Sequence, residues 1–247
     1  MPLTDHAAPS PKKQRMYTGS MKEGEPPRTL GAPRFHDAGG GYTTAGGMYV
    51  NVETTQLPSP KGELEELINK LDSQRGCLFE SSYDFPGRYA RWTMGFCNPP
   101  LSLESWGRRF EITALNARGK VLLPPVTAAL RECVSVLSLD NSDATVVKGQ
   151  VREADAGFTE EQRSRQHSIF SVVRAISALF HYDHEVQLGL YGSFGYDLTF
   201  QFEPVKLKRP RDPKQRDLVL YLPDEILIID VLSNAAWRLQ VGRPPEA

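Results

Sequence analysis

The sequence predicts an α+β fold, largely antiparallel sheet with flanking helices. Between residues 77 and 123 apolar side chains alternate with polar ones, as at Trp92, Met94 and Phe96, which is the period of half-buried strands. Three other stretches carry apolar residues at helical spacing. Near the C-terminus, 218–222 and 226–232 are almost continuous apolar runs, the pattern of strands buried on both faces.

Residues 1–45 are rich in Pro, Gly and small polar groups, too little apolar surface to offset the entropy of ordering. They are expected to form a disordered tail, followed by one domain over 46–241 and a short tail at 242–247. The first ordered piece is a short strand at 48–52. Ser59-Pro60 then supplies an N-cap and a proline at the first helical position, and Leu64, Leu67, Ile68 and Leu71 share one face. This predicts a helix over 61–73, ended by Gly76.

Further along, Trp106, Phe110 and Ile112 read as one face of a single strand. Residues 116–119 read as the turn before a strand at 120–123. Pro124-Pro125 closes that strand and starts a helix carrying Val126, Leu130, Cys133 and Leu137. A polar connector is expected over 138–157. Thr159-Glu160-Glu161-Gln162 fits a capping box, in which the Thr and Gln side chains satisfy orphan N–H groups. Ile169, Val172, Val173, Ile176, Leu179 and Phe180 then mark the longest helix. After it come strand-like 188–191, a turn at 192–195, a basic loop at 206–217, the two apolar runs, and a last strand at 236–241.

Bulk composition limits the function classes. The 247 residues are 40% hydrophobic, enough for a core, and their formal net charge of −1 gives no field for nucleic acid or anionic membrane. Cys77, Cys97 and Cys133 are an odd number without metal-ligand spacing, which fits a reducing, cytoplasmic location. The first residues lack the apolar core of a secretory signal, and no run approaches the ~20 apolar residues of a membrane span.

Most candidate motifs have plain structural readings. Gly189-x-x-Gly192-x-x-Gly195 lacks dinucleotide-loop spacing and reads as a turn, with Asp197 as a cap rather than a ribose ligand. His181 and His184 at a helix end lack the further ligands that zinc needs, so no metal site is assigned. The run 206–211 has no interleaved aromatics and reads as a solvated connector.

The stretch CLFESSYDFPGRYARW is different, because Glu80-Ser81 interrupts a core strand and Arg88 and Arg91 follow. A free amino acid needs an acceptor for its ammonium, donors for its carboxylate and an apolar wall. Glu80, Ser81 with Arg88 or Arg91, and Phe79 offer these three functions. On residue types alone a salt-bridged surface loop is the favoured reading, since exposed ion pairs are common and weak.

Three collinear segments, GCLFESSYDFPGRYARW, GLYGSFGYDLTFQFE and RDLVLYLPDEILIID, resemble the N-terminal half of anthranilate synthase component I, most like the bacterial form fused to its glutamine amidotransferase. The resemblance covers about 45–240. It implies that Leu78-Phe79-Glu80-Ser81 corresponds to a Leu-Leu-Glu-Ser element of the tryptophan feedback site, with Phe for the second Leu. Arg88 and Arg91 lie about where that family places a cationic group. It also implies partners: L-tryptophan as effector, a chorismate-binding half, and a glutamine amidotransferase. Magnesium would serve the complete enzyme, while no cofactor and no catalytic residue is assigned to this chain, which ends before the catalytic half is met. The expected role is a truncated or split component acting in tryptophan biosynthesis as its sensing and assembly half, inactive alone. An interaction module with a vestigial pocket is the alternative.

Overall fold

The computed structural model describes residues 41–80, 92–154, 166–181, 188–203 and 208–242. Two six-stranded antiparallel sheets and a few helices make the α+β fold that the sequence predicts.

The first sheet contains β1 (Gly41–Thr43), β2 (Tyr49–Leu57), β3 (Gly76–Phe79), β4 (Trp92–Cys97), β11 (Glu225–Asp230) and β12 (Ala235–Val241), in the order β1-β2-β12-β11-β4-β3. The second contains β5 (Leu101–Trp106), β6 (Arg109–Ala114), β7 (Val136–Asp143), β8 (Val146–Val151), β9 (Tyr191–Phe194) and β10 (Leu218–Leu222), ordered β7-β8-β6-β5-β10-β9. Order starts earlier than expected: β1 lies inside the stretch read as tail, and Tyr42 is buried there.

Helix α1 (Pro60–Leu71) begins where the sequence places it. The Ser59 side chain accepts from the Gly62 N–H at 3.2 Å, and Pro60 sits where a missing N–H costs nothing. Its Leu64, Leu67 and Leu71 pack on Leu227, Ile229 and Ala236 of the first sheet. Ile226 and Ile228 point to the other face, against Val50, Val52 and Leu239. Period-2 alternation between two apolar layers makes β11 an unbroken apolar run.

Helices α2 (Ala117–Glu132) and α3 (Ile169–Phe180) cover the second sheet, where Leu103, Phe110, Ile112, Leu218 and Leu220 meet Leu123, Val126, Leu130, Ile169, Val172 and Ile176. At 16 residues α2 is the longest helix among the described residues, rather than the 12-residue α3.

Several local expectations are corrected here. Residues 116–123 are the cap and first turns of α2, not a turn and a strand: Asn116 accepts from the Gly119 N–H at 3.1 Å. Pro124 and Pro125 lie inside the helix. Each lacks an N–H, but the carbonyls they leave free belong to Lys120 and Val121, both exposed, where water can serve them. Burial of Leu123, Val126 and Leu130 outweighs the local penalty. Trp106 does not share a strand with Phe110 and Ile112. Gly107, at φ 59°, opens a two-residue hairpin loop, and Trp106 pairs with Arg109 across it. The expected polar connector holds β7 and β8, joined by an Asx turn in which Asp143 accepts from the Thr145 N–H and hydroxyl, each at 2.7 Å.

Two crossings exchange the chain between sheets. β4 leads into β5 through Asn98-Pro99-Pro100, with Asn98 at φ 52°, and β10 leads into β11 through Pro223-Asp224. The second pair looks like a hairpin in sequence, yet β10 pairs with β5 and β9 while β11 pairs with β4 and β12. The proline has no N–H to extend a ladder, so the strands part there.

Candidate functional site

Strands β3 and β9 are the outer strands of their respective sheets. They approach each other, and aromatic side chains fill the approach. The ring of Phe79, last in β3, lies 6.0 Å from that of Tyr191, first in β9, tilted by 47°. Phe96 on β4 meets Tyr191 at 6.0 Å and 61°, and Tyr221 on β10 at 6.0 Å and 68°. Tilted and edge-to-face arrangements at these separations are the favourable ones for aromatic quadrupoles.

Register explains which side chains share this face. Phe79 pairs with Met94 and Cys77 with Phe96, so these four point the same way, opposite to Leu78. Phe96 is buried, whereas Met94, Trp92, Tyr191 and Tyr221 are half-buried and Phe79 is 38% exposed. A wall of rings that is only partly covered can still accept a flat apolar group.

Glu80 follows Phe79 immediately and is exposed. Ser81, Arg88 and Arg91 lie outside the described residues, as do Thr159 to Gln162, His184 and Lys206. Of the sequence-assigned group, the described structure places Phe79 in the aromatic wall and leaves Glu80, the next residue, exposed. It adds Tyr191, Phe96 and Tyr221, which sequence reasoning did not place at the site. Tyr191 stands in the GLYGSFGYD segment, but nothing local indicates that its strand approaches β3 from the other sheet.

The other motifs resolve as structure. Gly192 lies in β9, where an added Cβ would come 2.1 Å from the Val219 carbonyl oxygen, so close packing against β10 excludes any side chain. Asp197 is not a cap; it pairs with Arg211 Nε at 2.9 Å and accepts from Gln215 at 3.1 Å. Arg211 also pairs with the buried Asp217. Burial pushes the Cys77 and Cys97 thiols up, away from the range of a reactive thiolate. Among the described residues no group of three or more His, Cys, Asp or Glu could hold a metal ion. None of the described helices is long and apolar enough to cross a membrane.

Comparison with known proteins matches this chain to two curated relatives. It is 42% identical over 195 residues to the anthranilate synthase of Azospirillum brasilense, covering 79% of this chain and 26% of that protein. It is 29% identical over 158 residues to the pyocyanine-specific anthranilate synthase component 1 of Pseudomonas aeruginosa, covering 62% of this chain and 28% of that protein. No protein-family model matches. The chain thus spans about a quarter of the length of each relative. This sequence similarity makes the chain a homologue of part of the anthranilate synthases, one of the two relatives being named a component 1.

Proposed function

We propose that this domain senses tryptophan for an anthranilate synthase, in tryptophan biosynthesis from chorismate. The observation that carries the reading is the meeting of Phe79 and Tyr191 at the two sheet edges, with Glu80 next in the chain. An indole would lie against Phe79, Tyr191 and Met94, its ammonium received by Glu80. Its carboxylate would be held by Ser81 with Arg88 or Arg91, charge-assisted contacts of the strong kind. Such a site binds and does not catalyse. Chorismate, magnesium and ammonia from a glutamine amidotransferase would be handled by other parts of the enzyme, with which this domain assembles and without which it is inactive.

A pure interaction module is the second reading. Phe194 and Tyr196 are 52% and 84% exposed, and Phe170 stacks on Phe194 at 5.7 Å and on Phe202 at 6.0 Å, an apolar ridge suited to a partner.

Calorimetry of the chain with L-tryptophan, alone and with a chorismate-binding half added in trans, tests both. Saturable heat that disappears in Glu80→Ala supports sensing. Absence of heat in either setting, with the chain folded, rejects it, and association with the added half independent of tryptophan then supports the interaction module.

A further inference from the structure

A second site lies where the chain crosses between sheets. A cavity of about 220 Å³ is bounded there by Met48, Val50, Leu122, Phe180, Leu222 and Val241. It shares no lining residue with the wall of Phe79, Phe96, Tyr191 and Tyr221. An apolar cavity of about 150 Å³ holds one benzene, and small-molecule sites run upward from about 300 Å³, so this space suits a single ring with a short substituent.

Among the described residues, two charged side chains line the cavity, Arg118 and Asp224. Arg118 Nε contacts Asp224 Oδ2 at 2.5 Å, and its Nη2 donates to Asp224 Oδ1 at 3.2 Å and to the Asn98 carbonyl at 2.8 Å. Both carboxylate oxygens are thereby engaged by one guanidinium. Nη1 takes no part in these bonds to described residues, and its two N–H groups remain as single donors. The unused capacity is therefore for an anion, since a cation would have to break the existing pair. Burial pushes the Asp224 carboxyl up against the pull of Arg118, whose own side chain is 53% exposed and so within reach of an arriving ligand.

We propose that this cavity binds a small carboxylate with a single-ring apolar body, its head group received by Arg118 and its ring by Leu122, Phe180 and Leu222. The inference stands apart from tryptophan sensing, which uses other residues.

Titration of the full chain with phenylacetate, followed by two-dimensional amide NMR, tests it, with neutral benzyl alcohol and cationic phenethylamine as size-matched probes. Phenylacetate should saturate and bind roughly tenfold or more tighter than either, the difference one charge-assisted contact supplies. Arg118→Lys removes the Nη1 donors and should weaken it. Val121→Glu sets a carboxylate at the rim, at a side chain 73% exposed and so outside the core, and should also weaken it. Equal binding of all three probes, no saturation on the folded chain, or indifference to both variants would overturn the assignment. Displacement of phenylacetate by tryptophan would overturn it too, by placing both in one site.

Discussion

The Gly107 amide donates to Asp217 Oδ2 at 2.5 Å across 110 residues of sequence, tying the β5–β6 hairpin to the start of β10. Asp217 also accepts from the Arg211 guanidinium, and its own N–H donates to the Ser105 carbonyl at 2.8 Å. A carboxylate 1% exposed is tolerated here because these donors replace water. Asp217→Ala should cost about 2–4 kcal/mol in urea unfolding, short of the upper range for broken buried pairs because Arg211 retains Asp197.

Ile228 sits on β11, between β4 and β12, and is 2% exposed. Its side chain faces the layer opposite α1, with Val52 and Leu239. Ile228→Ala is expected to lower the unfolding free energy by about 2–5 kcal/mol through lost burial and a residual cavity. The denaturant midpoint should fall with the m-value unchanged.

The first turn of α2 offers a paired test. Asn116→Ala removes the side-chain acceptor for the Gly119 N–H and should cost about 1 kcal/mol. Gly119→Ala would ordinarily favour a helix, but an added Cβ would fall 2.1 Å from the Pro100 carbonyl oxygen. Thermal unfolding should therefore show both variants destabilised. A stabilised Gly119→Ala chain would mean that the crossing loop gives way easily.

Phe79 is exposed enough that its removal should separate binding from stability. Phe79→Ala is expected to cost less than about 1.5 kcal/mol, since the ring is already partly in water. Loss of the Tyr191-facing ring should weaken tryptophan threefold to tenfold by calorimetry, the range of one aromatic contact.

Asp224 provides a pH test. Its folded-state pKa is raised, first by burial, with Arg118 opposing. A raised carboxyl contributes stability that is fully present below the unfolded value near 4 and is lost as pH rises through the folded value. Wild-type stability relative to Asp224→Asn should thus be most favourable in acid and decline toward neutrality. Chemical denaturation of both proteins across that window measures it.

Local chemistry made α1, α3 and β11 legible. Ser59-Pro60 caps one helix by contacts within a few residues, and the spacing of Ile169, Val172 and Ile176 names the face of another. The second half of α2, with Val126 and Leu130, was legible, but its first turns were hidden because a proline pair is a strong local stop signal that burial of Leu123, Val126 and Leu130 overrides. Strand β7 was hidden by polarity, since a strand at a sheet edge with one open face carries few apolar residues, and β8 beside it is broken by Lys148, Gly149 and Gln150.

The candidate site divides in the same way. Phe79 and Glu80 stood out because a carboxylate broke an apolar strand, a feature contained in neighbouring residues. Tyr191 and Tyr221 could not be placed, since the rings come from β9 and β10, more than a hundred residues away.

From sequence alone came the α+β class, the main apolar faces and the relationship to anthranilate synthase component I, all of which depend on short-range pattern or on collinear residues. Which strand joins which sheet was decided only in three dimensions. Pro223 separates β10 from β11 in two residues, but their hydrogen-bond partners lie far along the chain. Ladder pairing is a long-range choice made by burying both faces at once, and no single segment carries that information.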